Sequence, residues 1–182
     1  MLILVSGPSG VGKSSVIELL LARHKNLALM KTFTTRKQRA QIDGAYFHVS
    51  KKKFDEMIKN GELFEYENVH ADLYYGTPFS SLDKVIEGKK DYIKDIDVHG
   101  VEKLQNYLRG KSRVVSVFLD SPDHHLRQRL ERRGESSEMI EKRLSRAGME
   151  RSKKHLFDLV LQCDDIGQTA QDIENFIQQN KA

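Results

Sequence analysis

Near its N-terminus the chain reads Gly7-Pro8-Ser9-Gly10-Val11-Gly12-Lys13-Ser14, the spacing G-x-x-x-x-G-K-S. Glycines at these positions let the backbone turn tightly and aim successive N–H groups at phosphate oxygens. Lys13 adds a positive charge for the outer phosphates, and the Ser14 hydroxyl is an oxygen ligand for magnesium. The stretch from Gly7 to Ser15 is therefore a candidate cradle for a nucleoside triphosphate. Leu2 to Val5 before it form a short apolar run typical of a buried strand, and Ser15 to Leu21 after it suit a helix. A strand–loop–helix unit also turns the positive end of the helix dipole toward the anion.

A phosphate-binding loop does not by itself separate kinase, GTPase and ATPase. No Asn-Lys-x-Asp element and no DxxG after a second strand accompany it, and the chain is short for most motor or transporter ATPases. A small-molecule kinase remains. Such an enzyme needs a clamp on the acceptor phosphate, a selector for the acceptor base, and mobile positive charge for the group in transfer. Thr34, Thr35 and Arg36 with Arg39 are the candidate clamp, since guanidinium forks suit phosphate oxygens. Glu65 with Tyr75 and Thr77 is the candidate selector. Its carboxylate would accept from the N1–H and 2-amino donors of guanine, while a hydroxyl serves O6; adenine would leave the carboxylate unpaired. Arg129, Arg133, Arg143 and Arg146, around the break at Gly134, supply candidate mobile charge. Asp95 and Asp97 are candidates to lie near the metal or the base, with Asp97 preferred.

The elements that must hold these residues follow a largely alternating strand–helix order, which argues for a parallel sheet with crossover helices. Helices are expected over Lys13 to Arg23, around Phe54, Met57 and Ile58 with Gly61 closing, and around Leu82, Val85 and Ile86 with Gly88 closing. Further helices are expected at Val101 to Leu108, after Ser121-Pro122, and after Ser136 or Ser137. A last helix is expected with Thr169 and Asp172 at its cap. Strands are expected at Thr32 to Thr35, Ala45 to Val49, Leu63 to Tyr66, Tyr92 to Asp97, Val114 to Leu119 and Leu159 to Leu161. The block from about Met30 to Leu82 breaks the rhythm. It reads as an insertion over the sheet edge, where a second substrate could dock.

The 182 residues suit one domain. The net charge of +4 is modest, and the basic clusters lack the interleaved aromatics of nucleic-acid stripes, so phosphorylated small molecules are the expected partners. No apolar run reaches membrane-span length, and Met1 to Leu4 have no basic leader region, so neither a membrane nor a secretory signal is expected. The only cysteine, Cys163, suits a reducing cytoplasm and reads as a buried strand residue. His99, His124 and His125 carry no metal-ligand spacing.

Taken in order, Gly7 to Ser14, Thr34-Thr35-Arg36 with Arg39, Asp43-Gly44 with Tyr46, and Gly61 to Tyr66 resemble guanylate kinase. So do Tyr74 to Pro78, Asp95 to Gly100, Arg129 to Gly134 and Lys142 to Leu144, so that the likeness spans nearly the whole chain. The resemblance implies an α/β, three-layer P-loop fold with a parallel sheet, a small mixed GMP-binding insertion and a helical lid. It implies one domain over 1–182: core at about 1–30, 83–125 and 157–182, GMP-binding lobe at about 31–82, lid at about 126–156. It implies an ATP:GMP phosphotransferase with magnesium; a cytoplasmic monomer or homodimer is the expected form. Under it, Lys13, Arg129, Arg133 and Arg143 stabilise the moving phosphoryl group. Arg36, Arg39 and Tyr46 hold the GMP phosphate, and Thr32, Glu65, Tyr75, Thr77 and Asp97 surround the guanine. The chain departs from the family pattern in a shortened Arg39 to Gly44 loop lacking a usual glutamate, at Gly44-Ala45-Tyr46, and at Asp72-Leu73. It departs again at His99 and Cys163. Most departures fall in the acceptor lobe, which leaves a kinase of the same fold with another phosphorylated acceptor as one alternative. A non-catalytic binding module on this scaffold is the other.

Overall fold

The computed structural model describes residues 1–38, 44, 46–70 and 73–179. Arg39, Asp43, Ala45 and Asp72, placed by the sequence in the acceptor lobe, lie outside the described residues. The first elements are β1 (Leu2–Ser6), α1 (Lys13–Arg23), β2 (Leu27–Leu29), β3 (Thr32–Thr34), β4 (Tyr46–His48) and α2 (Lys51–Lys59). Next come β5 (Leu63–His70), β6 (Leu73–Pro78), α3 (Phe79–Glu87), β7 (Asp91–Asp95) and α4 (Val98–Leu108). The chain continues with β8 (Val114–Asp120), α5 (Asp123–Arg132), α6 (Ser137–Ser152), β9 (Leu159–Gln162) and α7 (Ile166–Gln179).

Five strands form a parallel sheet in the order β2-β7-β1-β8-β9. A parallel sheet is covered on both faces, so its strands read as continuous apolar runs. β1 shows the consequence. Leu2 and Leu4 face a core built with α3, α4 and Phe118, while Ile3 and Val5 face another built with α1, α7 and the odd-numbered residues of β8. All five residues of β1 are buried, which fixes the strand leading into the phosphate loop.

A second sheet, order β4-β3-β6-β5, lies within the insertion. β3 and β4 run parallel, whereas β6 is antiparallel to both β3 and β5. Its small core is Phe54 and Met57 of α2 with Leu63, packed against Phe33, Ile58 and Tyr74. α2 starts where Ser50 accepts a hydrogen bond from the Lys53 amide, and the chain turns out of it at Gly61, φ 66°.

The structure changes several expectations. β2 and β6 were not anticipated, and β5 runs four residues beyond Tyr66. The strand expected to reach Asp97 ends at Asp95, and Asp97 instead caps α4 by accepting from the His99 amide. α5 begins after Pro122 with no side-chain cap, so Ser121 does not cap it; its hydroxyl is buried with no partner among the described residues. α7 begins at Ile166, not at Thr169: Asp165 accepts from the Gln168 amide and takes the capping role one turn earlier. Ile86, expected on the buried face of α3, is 38% exposed, so Leu82 and Val85 carry that face.

Candidate active site

The phosphate loop is held open by its glycines. Gly7 has φ 135°, and a Cβ there would stand 2.1 Å from the Leu119 carbonyl oxygen. Gly12 has φ 118° and lies against Ile166 and Cys163. A side chain at Gly7 would strike backbone, one at Gly12 would strike the ends of two side chains, and both positions hold a φ that residues with a Cβ rarely adopt. Gly7→Ala is therefore expected to lose nucleotide affinity and to cost roughly 1–3 kcal/mol of stability from backbone strain alone. Calorimetric ATP titration and thermal melting check both effects; unchanged ATP affinity would contradict this account of the loop.

Three cations converge on the loop. The Lys13 ammonium lies within it, donating to the carbonyls of Gly7 at 2.6 Å and Pro8 at 3.2 Å. Arg129, on α5, donates to the Val11 carbonyl at 2.6 Å and to the Cys163 carbonyl at 2.9 Å. It thereby ties the loop to the end of β9. Arg143, on α6, donates to the Ser9 hydroxyl at 2.6 Å and pairs with Glu135. Arg133, at the end of α5, is exposed. Ser14 and Ser15 are exposed in the first turn of α1, and Pro8, Ser9, Gly10 and Val11 complete the turn.

α6 is anchored at its far end by Arg151, which the sequence did not single out. Its guanidinium reaches Asp120 and Asp123 at 2.7 Å each and the Ser121 carbonyl at 2.7 Å. Along the same helix Arg146 pairs with Asp97 and, at 3.0 Å, with Glu150. Asp97 is thus engaged by α6, which with α5 forms an arginine-bearing arm, and by the start of α4. Burial raises the Glu150 carboxyl above the usual carboxylate range, with Lys13 and Arg146 opposing. A carboxyl raised in the folded state holds its proton to higher pH than in the unfolded chain. Its charge therefore weakens the fold as pH rises through that interval. Glu150→Gln is expected to melt a few degrees above the parent at pH 7.5 and to converge with it near pH 4. A constant gap across that range would contradict the prediction.

The second sheet presents the other candidate residues. Glu65 on β5 and Thr77 on β6 are register partners, and the Thr77 hydroxyl donates to Glu65 Oε1 at 3.2 Å. Glu65 Oε2 lies 3.6 Å from where a Gly100 Cβ would be, beside the first turn of α4. Arg36 lies over the Tyr46 ring at 4.9 Å, and Tyr46 meets Tyr75 edge-on at 5.6 Å. Thr34 and Thr35 staple this region to β6: the Thr34 hydroxyl donates to the Tyr74 carbonyl at 2.8 Å, and Thr35 accepts from the Tyr74 amide at 2.9 Å. Thr32 accepts a hydrogen bond at 2.6 Å from Lys94, a buried lysine on β7 that the sequence reading missed. The available signal was position: Ile93 faces one core, and Tyr92 and Ile96, two residues to either side of Lys94, pack in the other, so a lysine between them falls among buried neighbours.

Cys163 is buried beneath Gly12. Burial pushes its thiol up, against a Thr169 hydrogen bond and the Arg129 charge. It is packing, not a nucleophile. His99 sits on the surface with Lys153.

A parallel sheet carrying a phosphate loop at the strand end, with an arginine arm and a separate mixed sheet, defines a P-loop phosphotransferase. The family model described as guanylate kinase matches residues 1–180. The guanylate kinase of Mycoplasmoides gallisepticum is 37% identical, covering 97% of this chain and 91% of that protein. That of Porphyromonas gingivalis is also 37% identical, covering 98% and 96%. The crystal structure of guanylate kinase from Anaplasma phagocytophilum superposes with a TM-score of 0.75 at 28% identity, covering 99% of this chain and 85% of that one. The chain belongs to the guanylate kinase family.

Proposed function

We propose that this chain transfers the γ-phosphoryl group of ATP to GMP, giving ADP and GDP. The observation that carries the reading is the presence of two complementary sites in one molecule. One is a glycine-shaped loop with Lys13, Arg129 and Arg143 gathered on it. The other is the Glu65–Thr77 pair, a carboxylate beside a hydroxyl, suited to guanine's donors and acceptor. No observation favours a different acceptor or a non-catalytic module.

The roles follow from chemistry. Backbone N–H groups from Gly7 to Ser15 hold the donor phosphates. Lys13, already inside the loop, moves from the Gly7 and Pro8 carbonyls to the outer phosphate oxygens. Arg143 and Arg133 neutralise charge on the transferring group, and Arg129 fixes the loop that receives it. Arg36 and Tyr46, with Arg39, hold the acceptor phosphate; Glu65, Thr77, Thr32, Tyr75 and Asp97 form the base end. Arm and acceptor lobe close around both substrates, excluding water so that the phosphoryl group passes to the GMP phosphate. The division into core, acceptor lobe at about 31–82 and lid at about 126–156 is part of this proposal.

The donor set suits magnesium. Ser14 is exposed at the start of α1, and Asp95 is exposed at the end of β7, in register with Val5 just before the loop. Both offer hard oxygens, and no group of three His, Cys, Asp or Glu residues gathers among the described residues. Such a site matches an ion that takes most ligands from phosphate and water. When bound, magnesium neutralises charge on the β- and γ-phosphate oxygens. No helix among the described residues is long and apolar enough to cross a membrane. A cytoplasmic monomer or homodimer is the form we propose, the compartment resting on the lone buried thiol.

Chromatography of a reaction containing magnesium, ATP and GMP tests the proposal. Stoichiometric ADP and GDP are expected. ADP with inorganic phosphate and no GDP would overturn it.

A further inference from the structure

Lys94 is 4% exposed and sits where the two sheets meet. Its strand, β7, belongs to the core sheet, yet its ammonium donates at 2.6 Å to Thr32, the first residue of β3 in the second sheet. Among the described residues Thr32 is its only hydrogen-bond partner. Glu65 and then Asp95 are the charges that act on it most, and neither is in ion-pair contact. A lysine ammonium has three donors, and a buried donor without an acceptor is costly. Burial pushes Lys94 below the usual lysine range, with Glu65 and Asp95 opposing. Methionine would fill the space without that penalty.

Glu65 is acceptor-only when ionised, and one of its oxygens already takes the Thr77 hydroxyl. It lies toward the first turn of α4, at Gly100. Thr32 accepts from Lys94, so its own hydroxyl hydrogen is free to point elsewhere and is polarised by the neighbouring charge. β3 runs antiparallel to β6 with Phe33 opposite Gly76, and Glu65 pairs with Thr77, so the register brings Thr32 to the level of Thr77 and Glu65 and sets this donor-rich pair beside the acceptor-rich carboxylate. A purine with adjacent N1–H and 2-amino donors presents its 6-oxo acceptor alongside, which matches that order. A 6-aminopurine would turn donors toward an ammonium.

We propose that Lys94 is a specificity determinant of the acceptor site: with Thr32 it supplies hydrogen bonds to the 6-oxo group of the purine whose N1–H face bonds Glu65. This rests on the GMP reading above. It assigns to Lys94 the rejection of 6-aminopurines, which a carboxylate alone performs only in part.

The test is Lys94→Met, with GMP, IMP and AMP dissociation constants from calorimetry and ATP kinetics on the same preparation. GMP and IMP share the 6-oxo group, so both should bind about tenfold more weakly, while AMP is unchanged or tighter. The loss should appear in the KM for GMP, with kcat and the KM for ATP within about threefold. The melting temperature should not fall. Equal weakening toward all three nucleotides, or unchanged GMP affinity, would overturn the inference. Thr32→Val, which preserves shape and removes the hydroxyl, decides the matter if the methionine variant folds poorly. Its GMP-to-AMP preference should fall in the same direction, and an unchanged preference would overturn the inference. Wild-type protein that forms no GDP would instead overturn the reading beneath. Wild-type turnover of GMP together with an unaltered Lys94→Met enzyme would sink the Lys94 role alone.

Discussion

Lys13→Ala is expected to lower kcat about 10³-fold while leaving the KM for GMP within about threefold of the parent. The ammonium lies inside the phosphate loop, 2.6 Å from the Gly7 carbonyl and on none of the acceptor-site residues. Its chemistry is to follow charge that grows on the outer phosphate oxygens as the bond to the leaving ADP lengthens. An interaction realised chiefly in the transition state lowers kcat and kcat/KM together when removed. Removing it should not disturb the fold, because the side chain is only partly buried and both its hydrogen bonds go to carbonyls of the loop itself, not to the core. Steady-state kinetics with both substrates varied, alongside thermal melting, checks this. Turnover within tenfold of the parent would remove Lys13 from the chemistry.

Glu65→Ala is expected to raise the KM for GMP between about tenfold and about a hundredfold, with kcat and the KM for ATP little changed. The carboxylate is held in place by the Thr77 hydroxyl and by strand register, so it meets the base already oriented. A carboxylate accepting two donors contributes charge-assisted hydrogen bonds to ground and transition states alike, which is the pattern of uniform binding. An effect confined to ATP would contradict this placement. The same variant should lose preference for GMP over AMP, because the penalty of an unpaired carboxylate facing adenine disappears with the carboxylate.

The donor half of the site was legible because its physics is local. Strand, glycine turn, lysine and helix lie within about twenty consecutive residues, and positive φ at Gly7 and Gly12 is a property of residue type. The β/α alternation likewise announced the core sheet. The acceptor half was not readable from periodicity. Glu65 and Thr77 meet because β5 and β6 pair antiparallel, and β6 carries Gly76 and Pro78, residue types that do not mark a strand. Gly76 is tolerated in that strand because a Cβ would meet Phe54 and Leu63 at 2.9 Å each; the glycine makes room for α2. β2 escaped notice because three half-buried residues carry almost no pattern. Lys94 escaped because a lysine in a strand ordinarily faces water, and its burial is decided by a second sheet contributed from sixty residues earlier. The early start of α7 was hidden because Thr169 and Asp172 mimic a cap that Asp165 already provides. Arg129, which the sequence places among the charges on the moving phosphoryl group, also has a structural task that the sequence did not suggest: it donates to the Val11 and Cys163 carbonyls and so links the loop to the end of β9.

The central claim is that one molecule joins a triphosphate loop to a guanine-selecting sheet. The most direct measurement is kcat/KM for GMP, dGMP, IMP, AMP, CMP and UMP in a coupled ADP-release assay with magnesium and ATP. The account requires GMP and dGMP to lead, IMP to follow because it lacks the 2-amino donor, and the remaining nucleotides to fall far behind. Preference for AMP or a pyrimidine nucleotide, or tight ATP binding with turnover of none of the six, would contradict it.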